Sequence, residues 1–164
     1  MSNKKYEFTG ETKEWYGHTL HRIRAIVDIA YANAGEVGGW IESESNLSEN
    51  GNAWVYGNAK VCGNAKVCGN AEVCGDAKVC GNAKVCGDAE VKQSSDYIVV
   101  KNCWSSMRWF TYTRSNKKWK VGCFYGTGEE LIKKAYADSE TSGKCYEAIV
   151  RAVEAIEEAT KKED

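Results

Sequence analysis

The chain has 164 residues, with 16 glycines, no proline, eight cysteines and a formal charge of −1. That length buries one sizeable core and a satellite module, and the near-zero charge excludes a global field that would hold the protein on duplex DNA or an anionic membrane. The opening Met1-Ser-Asn-Lys-Lys-Tyr-Glu-Phe8 lacks the apolar core of a secretory signal. No apolar run approaches the ~18 residues that a membrane span needs. A cytoplasmic protein with no membrane partner is expected.

In chain order, Ile23, Ala25, Val27 and Ile29 alternate as in a strand. Gly35-Glu-Val-Gly-Gly-Trp-Ile-Glu42 then leads toward a repeat, with Leu47 and Trp54 available to fill its first end. Residues 1–50 are therefore expected to form a β cap.

From Gly51 to Lys92 the chain repeats every six residues. Glycine recurs seven times, at 51, 57, 63, 69, 75, 81 and 87, each time followed by Asn or Asp and then Ala, with Val two positions later. Internal periodicity of this kind outranks any local reading. Apolar spacing near 3.6 is absent, which excludes a helix. An extended Ala-x-Val places both side chains on one face, and Gly-Asn turns the corner, both residues tolerating positive φ. Five of the eight cysteines sit in this repeat at C-x5-C spacing, which is not zinc-ligand spacing. They are expected to be reduced thiols.

Read from valine, the unit Val-Cys-Gly-Asn-Ala-Lys resembles the hexapeptide repeat of left-handed β-helix proteins. In that family three units complete a triangular coil, so the resemblance implies a little over two coils for residues 51–92. It also implies that residues eighteen apart stack: Lys60 over Lys78, Lys66 over Lys84, Trp54 with Glu72 and Glu90, Cys62 with Cys80, and Cys68 with Cys86. Leu20-His-Arg-Ile-Arg-Ala-Ile-Val-Asp-Ile29, Gly38-Gly-Trp-Ile-Glu42, Asn46-Leu-Ser48 and Gly51-Asn-Ala-Trp-Val-Tyr56 look like the opening of bacterial and prophage hexapeptide-repeat proteins. Members of that group are described as acyltransferases or polymer-forming proteins.

After Lys92 the period stops, and residues 93–164 read as a small α+β module. Tyr97 to Val100, Met107 to Arg114 and Trp119 to Tyr125 read as strands, with a turn at Ser115–Lys118. Thr127 with Glu130 forms a capping box for a helix running to about Ala137, and Tyr146, Ile149, Val150, Val153 and Ile156 have helical spacing. Val121-Gly-Cys-Phe-Tyr-Gly-Thr-Gly-Glu-Glu-Leu131 looks like a C-terminal module of phage and prophage proteins. The fold class expected is mainly β: a short left-handed parallel β-helix with an N-terminal cap and a C-terminal α+β module.

Residues 97–125 hold six cations and eight aromatics but no acid. Guanidinium and ammonium groups neutralise phosphate while aromatic faces stack on bases, so this stretch is the candidate partner-binding surface. Trp104, Arg108, Trp109, Tyr112 and Arg114 form its first part, with Arg108 and Arg114 expected to flank an aromatic platform of Phe110 and Tyr112. Lys117, Lys118, Trp119 and Lys120 form the second, and Thr127 opens a helix whose N–H groups would add donors. The bland alternative is that the aromatics are core and the cations flank a hairpin.

Hexapeptide acyltransferases, as that resemblance implies, use a histidine base and acyl-CoA held between subunits. The only histidines, His18 and His21, precede the repeat, and no long loop interrupts it. No P-loop, dinucleotide fingerprint, HExxH or Gly-x-Ser-x-Gly motif occurs, so no metal, cofactor or catalytic residue is assigned. Three classes stand open. The first is a non-catalytic homo-oligomeric (trimeric) binding protein of phage type, antagonising a bacterial defence system through a nucleotide-like or protein target. The others are a hexapeptide acyltransferase and a purely structural scaffold.

Overall fold

The computed structural model describes residues 4–161. Residues 1–3, which begin the segment read for a signal, and 162–164, which end the expected C-terminal module, lie outside the described residues. The chain is mainly β with two C-terminal helices. No helix among the described residues is long and apolar enough to cross a membrane.

Each hexad forms a two-residue strand: β4 (Trp54–Val55), β5 (Lys60–Val61), β6 (Lys66–Val67), β7 (Glu72–Val73), β8 (Lys78–Val79), β9 (Lys84–Val85) and β10 (Glu90–Val91). They pair in parallel with partners eighteen residues on, as β4–β7–β10, β5–β8 and β6–β9. Successive turns of the chain therefore stack, with the repeat alanines and valines buried between the three ladders. At the corners only glycine takes positive φ, from 62° to 74° at the seven repeat positions. The following Asn does something else. Asn52 donates to Asn70 at 3.1 Å, Asn64 to Asn82 at 3.3 Å and Asn70 to Asp88 at 3.3 Å, a side-chain ladder between turns.

The stack is polar along its axis. An amide of one turn donates to a carbonyl of the next, as Lys60 to Ala77 at 2.9 Å and Glu72 to Ala89 at 2.9 Å. The carbonyls of Gly51 and Ala53 thus face the N-terminal end, whereas the N–H groups of Cys80, Lys84 and Glu90, with the Lys78 carbonyl among them, face the C-terminal end, and each needs a partner.

At the first end, the hairpin of β1 (Tyr6–Trp15) and β2 (His18–Ala25) continues into β3 (Val37–Ile41), which pairs in parallel with β5. Amides of Trp40 and Glu42 donate to Ala59 and Val61 carbonyls, each at 3.0 Å. Lys5 Nζ donates to the carbonyls of Gly51 (3.2 Å) and Ala53 (2.7 Å), while burial draws its ammonium down to about 8. A Cβ on Gly38 would lie 2.6 Å from the Val55 carbonyl, so β3 reaches the first turn only as a Gly-Gly segment. The expected strand through Ile29 stops at Ala25, and Ile26 and Val27 are exposed. Parallel pairing begins before Gly51, since Trp40 aligns with Lys60 and Leu47 with Val67.

At the other end sits an antiparallel sheet of β11 (Tyr97–Lys101), β12 (Trp109–Thr113), β13 (Lys118–Val121) and β14 (Phe124–Gly126). The expected third strand is two, broken at Gly122 (φ 55°). Its acceptors meet the exposed amides. Thr111 Oγ1 accepts from Lys84 N–H at 2.8 Å, Ser115 Oγ from Glu90 N–H at 2.8 Å and Tyr97 Oη from Cys80 N–H at 3.4 Å. The opposite face packs on α1 (Gly128–Asp138) and α2 (Glu140–Ala159), which bury Phe110, Tyr112, Trp119 and Val121 under Leu131, Val150 and Val153.

The cysteines pair in the expected columns but are not all reduced. Cys68 and Cys86 form a disulfide, whereas the Cys62 and Cys80 sulfurs stand 2.8 Å apart unjoined. The eighteen-residue stack corrects the reduced-thiol expectation for Cys68 and Cys86, because it brings their Cα atoms to 4.6 Å.

Candidate functional site

The two-sidedness of the C-terminal sheet decides which residues of 97–125 are available. Strand alternation points Phe110 and Tyr112 at the helices, and Tyr112 and Trp119, 6% and 2% exposed, pack with ring centroids 5.1 Å apart. Half-buried Trp104 stands edge-on to Phe110 and Tyr146. The expected platform of Phe110 and Tyr112 is therefore helix-covered core, with no open ring face for a base. Arg114 is also engaged: its Nε lies 2.6 Å from Glu157 Oε1 on α2. It does not share a surface with Arg108.

Thr127 caps α1 as its sequence suggests, and the cap engages the Thr127 and Glu130 N–H groups. Thr127 Oγ1 accepts from Glu130 N–H at 3.3 Å, and Thr127 N–H donates to Glu130 Oε2 at 2.7 Å. With two acidic residues in that first turn, the terminus already has its negative charge. Lys117 occupies the β12–β13 turn at φ 54° and borders a groove shared with Glu154, Glu157 and Glu158. Lys118 and Lys120 are half-buried along β13.

Arg108 and Trp109 remain, and the fold gives them new neighbours. Trp109 lies on the solenoid-facing side of β12 but overhangs the stack, 39% exposed. A cleft of about 350 Å³ opens there, lined by Asn64, Asn82, Lys84, Arg108, Trp109 and Gly122. Lys101 Nζ stands 5.9 Å from the Trp109 ring centroid. The Arg108 guanidinium lies over Gly122, where a Cβ would come within 3.0 Å of Nη1. The loop ahead of it is pinned by buried Asn102, whose Oδ1 accepts from the Trp104 and Ser105 amides at 3.0 Å each. Asn102 N–H donates to the Arg108 carbonyl at 2.8 Å, fixing where the guanidinium leaves the backbone. Two cations thus share a cleft with one exposed indole, with a third close to its ring, beside an amide ladder able to donate and accept.

Lys84, Asn64, Asn82 and Asn102 were not singled out by sequence. The stacking of Lys66 over Lys84 is legible from the repeat, but nothing in the repeat places β12 against Lys84. His21 stacks on Phe8 at 4.8 Å, and His18 Nδ1 lies 2.9 Å from Glu42 Oε1; neither lines the cleft. Among the described residues no group of three or more His, Cys, Asp or Glu side chains is placed to hold a metal ion. A scan against protein-family models finds no match, and a search of curated proteins finds none either.

Proposed function

We propose that this chain is a non-catalytic binding protein of phage type. Its stacked hexads form a left-handed parallel β-helix that assembles into a trimer, and each copy offers the Arg108–Trp109 cleft to an anionic, nucleotide-like ligand. Withholding such a ligand from a bacterial defence system in the cytoplasm of an infected cell is the role that fits, given the resemblance of the repeat and C-terminal module to prophage proteins. One observation carries the binding reading: Lys84 and Arg108 line one cleft with exposed Trp109, and Lys101 Nζ stands 5.9 Å from the Trp109 ring centroid. Guanidinium binds phosphate through paired N–H groups, and indole stacks on any base.

The test is titration of mono-, di- and cyclic nucleotides, followed by tryptophan fluorescence and calorimetry. At least one phosphate-bearing nucleotide should bind, more weakly as salt rises. Arg108→Ala with Lys84→Ala should weaken it at least about tenfold, near 1.4 kcal/mol, with the melting temperature unchanged. Binding that survives the double substitution, or a panel with no binder, rejects the reading.

A further inference from the structure

The two cysteine columns of the stack share the same eighteen-residue relation, yet only one is bonded. Cys62 and Cys80 keep free thiols with sulfurs 2.8 Å apart. In the same register Cys68 and Cys86 are joined, so the backbone geometry accepts a bond between adjacent turns.

The surroundings of the open pair are unequal. Cys62, 1% exposed, lies in a cluster with Leu20 and Trp40, against which half-buried Cys80 and Trp15 each pack. His18, near the tip of the β1–β2 hairpin, bonds Glu42 at 2.9 Å, and the other Glu42 oxygen accepts from the Gly63 amide at 2.6 Å. Gly63 directly follows Cys62, so this chain of contacts ties the hairpin to the dithiol. Lys78 lies on β8 two residues before Cys80, and the Tyr97 hydroxyl accepts from Cys80 N–H. The titratable groups facing the pair are thus His18, Glu42, Lys78 and Tyr97.

We infer that Cys62 and Cys80 form a dithiol site for thiol–disulfide exchange, with half-exposed Cys80 as the attacking sulfur and buried Cys62 as the resolving one. The charges agree with this division. The Cys62 thiol hydrogen bond, with His18 and Lys78 nearby, holds Cys80 below the ordinary thiol range. That same hydrogen bond and burial push Cys62 up. Glu42 holds His18 above the usual imidazole value, which preserves its positive charge toward neutral pH.

The substrate class is a small or flexible disulfide, R–S–S–R. Cys80 thiolate attacks one sulfur, the R–S–S–R bond breaks, and one thiolate leaves. Cys62 gives its proton to that thiolate and attacks Cys80 Sγ, displacing the second R group as its thiolate, which takes a proton from water. Two electrons pass from the dithiol to the disulfide, leaving a Cys62–Cys80 bond and two thiols. This site is separate from the Arg108–Trp109 cleft, and its test is independent of nucleotide binding.

The full chain treated with glutathione disulfide, quenched by alkylation and mapped by peptide mass, should yield a Cys62–Cys80 link. Cys62→Ser should stop at a glutathione adduct on Cys80, and Cys80→Ser should leave Cys62 unreacted. In the unmutated protein Cys80 should alkylate faster than exposed Cys103 and Cys123 near neutral pH, with a rate midpoint below that of a free thiol. His18→Ala should slow it by about threefold to tenfold and move the midpoint upward. Cys80 reacting no faster than Cys103 in the unmutated protein overturns the inference whatever the serine variants do, as does an adduct on Cys62 in a Cys80→Ser protein that melts like the parent.

Discussion

Asn46 shows how a single side chain closes one end of the stack. Fully buried, it donates through Nδ2 to the carbonyls of Gly63 (3.1 Å) and Ala65 (2.8 Å) and accepts from Ser43 N–H at 2.8 Å. Asp96 occupies the matching turn at the other end, where the solenoid offers amides, and accepts from Lys92 N–H at 2.8 Å and Gln93 N–H at 2.9 Å. An amide stands where donors are needed and a carboxylate where acceptors are needed. Asn46→Ala should cost about 1–3 kcal/mol, as two buried carbonyls lose their partner. Asn46→Asp, nearly isosteric, should cost more, because it turns an oxygen toward those carbonyls. Urea denaturation of the two variants checks this, and an Asp variant as stable as the parent would contradict the axial polarity.

At the scale of the element, two-residue strands have no stability of their own. They exist because each is held by the turns above and below, with a buried Ala and Val supplied every six residues. Val73 lies on β7, the middle strand of the β4–β7–β10 ladder, fully buried, while Lys66 is exposed. Val73→Asp should therefore cost roughly 3–5 kcal/mol through an unpaired buried charge. Lys66→Ala should cost less than about 0.5 kcal/mol. Thermal melts of equal midpoint would mean that the repeat phase is misassigned. This phase was legible because the pattern is long and unbroken. The β1–β2 hairpin was not: Glu7, Thr9, Glu11 and Lys13 interleave with few apolar residues, and backbone pairing with β2 and β3 makes it a strand.

For the whole molecule, the caps at both ends block end-to-end growth, since carbonyls and amides there are already partnered. The sides of the stack are thereby left as the surface through which we propose that copies associate. A homotrimer with most of its interface on the solenoid is the expected assembly. Light scattering should return three times the chain mass at micromolar concentration, and a monomer mass would exclude it.

By itself the sequence determined the repeat, its inward alanines and valines and the capping box of α1, because each depends on near neighbours or on strict periodicity; the cysteine columns followed only from the resemblance to proteins with three units per coil. It also showed that residues 97–125 concentrate cations and aromatics. Only the tertiary structure decided what those residues do. The helices cover one face of the sheet, turning Tyr112 and Trp119 into core and drawing Arg114 to Glu157. The solenoid covers the other, leaving Trp109 overhanging Lys84. Composition counts side chains on a strand, but which face meets another layer depends on packing partners distant in sequence, and packing separates a binding aromatic from a buried one.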